Sequence, residues 1–357
     1  MRLAASLLLT ALALPLQAAE QSLNLYNWAD YVPQEALKRF QRDTGIQVKY
    51  DTFDSAEVLD AKLLTGGSGY DVVFPASSGL GRAIQAKALQ PVGALGNAAN
   101  LDPEMLAKLA QIDPDNRFGV PYTWGTVGLA INRQAVEQRL PGVALNSLDL
   151  LFKPEYASKL KDCGIAVLDS PQEVVAIALN YLGRPPYAGS AEDLKAVQGL
   201  LAELQPNLRY LGQSRQINDL AKGEICLALT YTGDAGMAAA RAVEAKQPFE
   251  VVYRIPKEGT LIWFDTMAIP VDAPHPEAAR ALIDYMLKPE SIAELTNALF
   301  FANANRAATP LLDEAVRNDP DVYPPEAVRA KLFAEQLLPL REQRERTRLW
   351  SRFRTQY

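Results

Sequence analysis

Apolar and polar residues alternate along this chain with two different periods, which predict strands and helices in turn. Short runs rich in β-branched residues predict strands, and longer segments with apolar residues three or four positions apart predict helices. The predicted strands span 23–26, 47–52, 71–74, 164–168, 225–230, 249–255 and 266–269. The predicted helices span 33–44, 56–65, 80–87, 172–182, 191–204 and 277–287. Because strands and helices alternate over the whole chain, we expect an α/β fold.

The chain is long enough for two domains, but its sequence shows no linker between them. It has 357 residues, without an internal repeat or a low-complexity tract. We therefore expect the chain to cross between two lobes more than once. Residues 118–126 mix strand-forming residues with glycine and are a candidate crossing, and a return is expected near 251–256.

The first twenty residues have the pattern of a secretory signal. Arg2 is the positive residue, Leu3 to Leu16 form an apolar run, and Ala18 and Ala19 are small residues suited to cleavage. The run is too short for a membrane-spanning helix, and no second candidate follows. We expect residues 1–18 to be removed and the mature protein to be exported.

The charge of the chain favours some partners over others. It has 36 basic and 42 acidic residues, and removal of Arg2 with the signal changes the net charge from −6 to −7. An acidic exported protein is poorly suited to nucleic acid or anionic membranes and better suited to cationic ligands. We expect a monomer that binds no nucleic acid and uses no cofactor.

Two cysteines and one histidine limit the chemistry that is available. Cys163 and Cys226 would form a disulfide in an oxidising compartment, and the alternative is a pair of buried thiols. The histidine, His275, lies in an Ala-Pro-His-Pro segment. The sequence therefore offers almost no material for a zinc site or a histidine-based catalytic triad.

Residues 26–31 (YNWADY) are the strongest binding candidate, because three large rings surround one carboxylate directly after a predicted strand. Burial of Asp30 without a partner would be costly, whereas an organic cation would pair with it and lie against the ring faces. Tyr231 and Asp234 repeat this combination at a strand end, and Trp263 and Asp265 repeat it before a strand. Separated acids of this kind favour a ligand with two positive charges.

Three further segments have two interpretations each. Residues 66–71 are glycine-rich, but they lack the lysine of a phosphate-binding loop and are better read as a helix-to-strand connection. Ser78, between a strand and a helix, would either face a ligand or cap the helix. Glu173 opens a helix and would either bind a ligand or interact with the helix dipole.

The quoted segments, together with several others, identify a family. The runs LYNWADYVP, DTFDSAEVLDAKLLTGGSGYDVV, INDLAKGEICLAL, IPKEG, FFANANRAATPL and YPPEAVRAKLF closely resemble the periplasmic putrescine-binding proteins of polyamine ABC importers. The resemblance covers essentially the whole mature chain. It implies a two-lobed periplasmic-binding-protein fold of type II, with a hinge and a ligand cleft between the lobes.

The resemblance also implies a set of site residues. Asp30, Asp234 and Asp265 would hold the ammonium ends of a linear polyamine, and Glu173 would assist at one end. The other residues expected to line the cleft are Trp28, Tyr31, Ser78, Tyr231, Trp263 and Phe301, with Ala29 and Ala76 nearby. The family also pairs the cysteines that correspond to Cys163 and Cys226.

Some positions depart from the family pattern. Members specific for putrescine usually have serine at Ala29 and Ala76, tryptophan at Tyr231, phenylalanine at Trp263 and tyrosine at Phe301. The acids are kept while hydroxyl groups are lost, and a hydrogen bond to a charged group is worth roughly 1.5–3 kcal/mol. Recognition of positive charge should therefore persist, whereas putrescine, spermidine, cadaverine and agmatine all stay candidates.

We therefore expect a periplasmic receptor that captures a polyamine and delivers it to an ABC permease in the inner membrane. The first lobe would comprise 21–126 and 253–300, and the second 127–252 and 301–357. Alternatives are an exported polyamine sensor and, more remotely, an enzyme that uses Ser77, Ser78 or Cys163 as a nucleophile. No histidine is placed by sequence to activate such a nucleophile. Residues 341–354, rich in arginine, are expected to form a docked surface helix.

Overall fold

The computed structural model describes residues 22–29, 31–53 and 55–355, which form one mixed β-sheet system covered by helices. The strands are β1 Ser22–Trp28, β2 Gln47–Phe53, β3 Val72–Val73, β4 Leu89–Gln90, β5 Gly119–Asn132, β6 Ile165–Val167, β7 Leu208–Leu211, β8 Leu227–Tyr231, β9 Val251–Arg254, β10 Leu261–Pro270, β11 Ala302–Asn303 and β12 Phe333–Ala334. The main strand order is β2-β1-β3-β10-β5-β8-β6-β7. The sheet therefore runs continuously through the described part of the chain.

Helices connect and cover these strands. The α-helices are α1 Gln34–Thr44, α2 Ala56–Thr65, α3 Ser77–Gln85, α4 Pro103–Leu109, α5 Arg133–Arg139, α6 Asp149–Phe152, α7 Pro154–Leu160, α8 Pro171–Tyr181, α9 Ala191–Leu204, α10 Ser214–Lys222, α11 Thr232–Glu244, α12 Pro276–Met286, α13 Pro289–Leu299, α14 Glu314–Arg317, α15 Glu326–Arg329 and α16 Leu340–Arg354. Short 3-10 helices occur at Ala98–Asn100, Pro114–Asn116, Gln205–Asn207 and Arg306–Leu311. Gly45 ends α1 at φ 73°, a conformation that glycine adopts without steric cost.

Two long strands, β5 and β10, form the centre of the molecule. Every residue of both strands is buried, so their sequences lack the alternation of a strand with one exposed face. The first part of β5, up to Thr126, pairs antiparallel with β10, and the part from Val127 onward pairs with β8 and β9. One strand thus belongs to two neighbouring sets of strands.

The outer strands on each side are parallel pairs. On one side β1 pairs with β2 and β3, and on the other β6 pairs with β7 and β8. Parallel neighbours require crossover connections, and helices such as α1 and α9 supply them. The apolar side chains form two buried clusters, one with Leu25 and Phe40 and the other with Leu129 and Val175.

The structure confirms most of the predicted elements and corrects others. Helices 56–65 and 191–204 occur with the predicted bounds. Residues 263–265 were expected before a strand, but they lie inside β10, because both faces of that strand are covered and a carboxylate is accommodated there. Helix α3 begins at Ser77 with Ala76 at its cap position, so the interpretation of Ser78 as the N-cap is wrong. The lobe bounds stay a prediction.

The remaining expectations concern the ends and the cysteines. Cys163 and Cys226 form a disulfide, with their Cα atoms 5.5 Å apart, which confirms the predicted pairing. The predicted C-terminal helix is α16, and its Leu349, Trp350 and Phe353 are buried against the second apolar cluster. The signal segment, residues 1–18, lies outside the described residues. Within the described ranges, no helix is both long enough and apolar enough to span a membrane.

Candidate functional site

Four aromatic rings form a continuous row, which we call the aromatic row: Tyr31, Phe301, Trp263 and Tyr231. The ring centroids are 5.5 Å apart for Tyr31 and Phe301, 5.4 Å for Phe301 and Trp263, and 6.0 Å for Trp263 and Tyr231. Each contact is edge-to-face, the geometry that aromatic quadrupoles favour. Rings from four distant segments therefore meet in one aromatic cluster, and aromatic rings of this kind attract a cation through their faces.

Two glycines allow the aromatic row to pack closely. A Cβ atom added at Gly233 would lie 2.0 Å from ring atoms of Phe301. A Cβ atom added at Gly125, on β5, would lie 2.4 Å from the Trp263 ring. Real Cβ contacts are never this short, so any side chain at either position would displace a ring. Phe301 and Trp263 can therefore occupy their positions only because Gly233 and Gly125 have no side chains.

Asp265 lies on β10 beside the Tyr31 end of the row. The pairing of β10 with β5 shifts register between Asp265 and Thr266. Its side chain is 8% exposed, and burial raises the pKa of Asp265 to about 7, an effect that a hydrogen bond from Tyr31 partly offsets. The Tyr31 hydroxyl also lies 2.6 Å from the hydroxyl of Thr123. Thr123, which the sequence analysis did not identify, thereby holds Tyr31 next to the carboxylate.

Glu173 lies at the other end of the row. It is in the first turn of α8 and is also 8% exposed. The Tyr231 hydroxyl donates a hydrogen bond to its Oε2 atom at 2.8 Å. Burial raises the pKa of Glu173, and this hydrogen bond partly offsets the effect. The glutamate is therefore linked to the aromatic row directly.

Asp234 completes this end, in the first turn of α11 after Tyr231. Burial raises the pKa of Asp234 to about 6. Among the described residues, no lysine or arginine forms an ion pair with Asp234, Asp265 or Glu173. Buried carboxylates are normally paired, because an isolated buried charge is costly. The site therefore has the electrostatics of a receptor for a positively charged ligand.

The structure does not bring every predicted residue into the row. The Trp28 ring packs on Phe53, with centroids 4.5 Å apart, and in the described part of the chain it makes no ring contact with the aromatic row. Asp30 lies outside the described residues. Ala76 forms an isolated backbone bridge with Asp265, and Ser78 follows in the first turn of α3. These segments border the site through Asp265 and through the start of α3.

Glu335 is a further acidic residue that the sequence analysis missed. It follows β12, which pairs with the start of β10 through Leu261 and Ile262. It lines a cavity of about 50 Å³ together with Ser78 and Glu173. Burial, followed by the charge of Glu173, raises the pKa of Glu335 to about 8. Its sequence context, Phe-Ala-Glu-Gln, places an aromatic residue two positions before the acid, as in Trp28 and Asp30, so this spacing is the local signal that could have found it.

Comparison with known proteins decides the family. A family model of bacterial extracellular solute-binding proteins matches residues 35–324. The chain belongs to this family. Membership in a family of binding proteins confirms the expectation that the chain is not an enzyme. Over the described residues, no group of three or more histidine, cysteine, aspartate and glutamate side chains is arranged to hold a metal.

Individual relatives agree with this assignment. The chain is 43% identical over 344 residues to the putrescine-binding periplasmic protein PotF of Escherichia coli K12, covering 95% of this chain and 93% of that protein. It is 45% identical over 343 residues to the putrescine-binding periplasmic protein SpuD of Pseudomonas aeruginosa UCBPP-PA14, covering 95% and 94%.

A solved structure confirms the fold class. The spermidine/putrescine ABC transporter substrate-binding protein PotD of Streptococcus pneumoniae superposes with a TM-score of 0.83 at 28% identity, over 94% of this chain and 99% of that one. The α/β, two-lobed periplasmic-binding-protein fold of type II is therefore confirmed.

Proposed function

We propose that this protein captures a polyamine or a related organic cation in the periplasm and delivers it to an ABC permease in the inner membrane. The observation that carries the proposal is a row of aromatic rings bordered by buried or half-buried carboxylates that have no cationic partner among the described residues. A cationic ligand would offset the cost of burying those charges, and its methylene chain would lie against the rings.

The arrangement of charge favours a linear ligand with a positive group at each end. Asp265 lies beside Tyr31 at one end of the aromatic row, and Glu173 hydrogen-bonds to Tyr231 at the other. A ligand with one charge would leave one end uncompensated. In this proposal Asp265 binds one ammonium group and Asp234, with help from Glu173, binds the other. Trp28, Asp30 and Ser78 would complete the walls.

The names of the relatives support the ligand class and leave the individual amine open. PotF and SpuD are putrescine-binding proteins, another Pseudomonas aeruginosa relative is a putrescine/agmatine-binding protein, and the Salmonella typhimurium relative is a spermidine/putrescine-binding protein. In this chain Ala29 and Ala76 stand where putrescine-specific proteins usually have serine. The proposal therefore covers putrescine, spermidine, cadaverine and agmatine.

Transport would follow from closure of two lobes on the ligand. We propose lobes at 21–126 with 253–300 and at 127–252 with 301–357, connected by a hinge. Ligand contacts made by both lobes would favour the closed form, which the permease would then engage. The pairing change within β5 at Thr126 and Val127 supports a crossing at that point. A predicted signal at 1–18 supports the periplasmic location.

A ligand screen followed by calorimetry tests the proposal. A ligand that binds the folded state raises the melting temperature, so thermal shifts should appear with putrescine, cadaverine, agmatine, spermidine or spermine and not with neutral amino acids. Asp234→Asn and Asp265→Asn should each weaken binding of the best ligand by tenfold or more, since each removes a charge partner from a desolvated site. Glu137→Gln, at an exposed position on α5, is the matched control. Unchanged affinity in both aspartate variants would contradict the assigned site.

A further inference from the structure

The C-terminal helix α16 is strongly basic, although the protein as a whole is acidic. It carries six arginines and two glutamates, which give it a net charge of +4. The rest of the chain has 30 basic and 40 acidic residues, so its net charge is −10. Salt screens charges beyond about 8 Å at physiological ionic strength, so a partner that touches α16 responds mainly to the charge of this helix. The net charge of the chain, which disfavours anionic membranes, therefore does not describe this face of the molecule.

One side of α16 fixes the helix on the protein. Leu349, Trp350 and Phe353 are buried in the second apolar cluster. The Trp350 indole N–H donates a hydrogen bond to Asp169 Oδ1 at 2.7 Å, and Arg354 Nη1 lies 3.3 Å from Asp169 Oδ2. The helix therefore cannot rotate, and its opposite side faces solvent permanently.

The opposite side of α16 carries residues that are four positions apart, which we call the basic row: Leu340, Arg344, Arg348 and Arg352. Residues at this spacing lie on one face of a helix, about 6 Å apart along its axis. All four residues are exposed, and Leu340 is 70% exposed. The basic row is therefore about 18 Å long, with an apolar side chain at one end and guanidinium groups along the rest.

The arginines of the basic row have no acidic partner in the described part of the chain, whereas the other arginines of α16 are occupied. Arg341 pairs with Glu345 at 3.1 Å, Arg354 pairs with Asp169, and Arg346 is buried and donates to backbone carbonyls. Ion pairs between described residues do not include the basic row. Like charges four positions apart on a helix repel one another, so an anionic surface would relieve this repulsion.

The composition of the basic row favours a phospholipid layer over a protein partner. Protein interfaces are centred on buried aromatic or aliphatic anchors, but the centre of this row holds arginines, with Thr347 and Ser351 exposed beside them. A guanidinium group binds phosphate through two parallel hydrogen bonds. A lipid layer presents many phosphates over a flat area and also accepts an apolar side chain such as Leu340 below its headgroups.

We propose that the basic row is a membrane-docking surface, which holds the protein weakly and reversibly on anionic phospholipid of the inner membrane. This inference goes beyond ligand capture and rests on the periplasmic location in the proposed function. Each basic residue near an anionic leaflet contributes about fivefold to partitioning, so three arginines contribute roughly 100-fold. Docking of this strength concentrates the carrier beside its permease and still allows it to leave.

Co-sedimentation of the ligand-free mature protein with lipid vesicles tests this inference. We expect the wild type to bind vesicles of equal parts phosphatidylglycerol and phosphatidylcholine, and not vesicles of phosphatidylcholine alone. Binding should disappear in about 0.5 M salt, because it is electrostatic. Glutamine at Arg344, Arg348 and Arg352 together should lower binding roughly 100-fold. Leu340→Ser should lower it about threefold, because one partly buried leucine is lost.

A second triple variant is the matched control. Glutamine at Lys159, Lys161 and Lys222 removes the same charge from exposed positions on other parts of the chain, and it should leave vesicle binding unchanged. Both triple variants should keep the wild-type melting curve, because the substituted side chains are exposed. If the basic-row variant does not fold, Arg348→Gln alone takes its place, with an expected loss of about fivefold.

The other outcomes overturn the inference. A wild type that does not bind anionic vesicles, or that binds neutral vesicles equally well, refutes membrane docking. Equal losses in the two triple variants would show that only total charge matters. If the wild type does not bind vesicles but the basic-row variant lowers polyamine uptake by cells, the row contacts an acidic protein surface instead of lipid. A wild type that binds no polyamine refutes the proposed function, which the vesicle assay does not measure.

Discussion

We expect the buried carboxylate of Asp265 to strengthen ligand binding and to lower the stability of the ligand-free protein. In the proposed function this group pairs with an ammonium ion, but in the protein alone it is a buried charge without a cationic partner among the described residues. Burial raises the pKa of Asp265 from 3.8 to about 7. We predict that Asp265→Asn binds polyamine more weakly than the wild type and is nevertheless more stable in the absence of ligand.

The size of the effect follows from the pKa of Asp265 in the two states. One pKa unit corresponds to 1.36 kcal/mol, so keeping Asp265 ionised in the folded protein at pH 8 costs about 4 kcal/mol at most. We expect at least half of this, about 2 kcal/mol, because relaxation and water penetration soften the penalty of a buried charge. An asparagine has no charge to bury, and its amide oxygen can still accept the hydrogen bond from Tyr31.

The sign of the pH dependence gives a second check. Because the folded pKa is raised, the folded protein binds more protons than the unfolded chain between about pH 4 and 7. The wild type should therefore gain stability relative to Asp265→Asn as the pH falls through 7. At pH 5 the maximum cost has dropped to between about 1 and 2 kcal/mol.

Urea denaturation without ligand at pH 8 and pH 5 measures both differences. The stability gap between Asp265→Asn and the wild type should be larger at pH 8 than at pH 5. Glu137→Gln should show no gap at either pH. A variant that is less stable than the wild type at pH 8, or a gap that is the same at both values, would refute the reasoning.

Three further predictions concern the same molecule. The pKa of Asp265 is raised to about 7 and that of Asp234 to about 6, so a cationic ligand must displace protons from both groups at low pH. Calorimetry should therefore find that ligand affinity at pH 5.5 is about 100-fold lower than at pH 8. Gly233→Ala should push the Phe301 ring aside and weaken binding about tenfold with an unchanged circular dichroism spectrum; full affinity would contradict the close contact. Cys226→Ser should lower the free energy of unfolding by about 2–5 kcal/mol in urea titrations and leave ligand affinity within twofold.

The sequence predicted those parts of the fold whose residues differ in exposure. Helices α2 and α9 have one buried and one exposed face, and the helical period found their bounds. Strand β10 is buried on both faces, so it has no alternation, and only its second half was predicted. Asp265, in the middle of this strand, was expected to precede a strand. The prediction of an α/β fold succeeded because strands and helices alternate along the chain. The resemblance to the family added that this is a periplasmic-binding-protein fold of type II.

The site residues also include some that the sequence identified and some that it did not. Aromatic–acid pairs marked Tyr231, Asp234, Trp263 and Asp265, and the resemblance added Phe301, which carries no local signal. Glu335 was not identified from the sequence, although Phe333 and Glu335 have the spacing of an aromatic–acid pair, because its place beside Glu173 depends on the pairing of β12 with β10. That pairing joins Phe333 to Leu261 and is invisible to a local pattern.

The position of β10 in the sheet has a consequence for the synthesis of the protein. This strand lies between β3 and β5, although it follows β5 by more than a hundred residues in the chain. As the polypeptide leaves the ribosome, β3 and β5 emerge early and cannot be joined until β10 follows. Closing contacts of such long sequence separation slows folding. Residues 1–18 are predicted to be an export signal, and for an exported chain this delay would be useful. A translocation channel accepts unfolded polypeptide, and the sheet can be completed on the far side of the membrane.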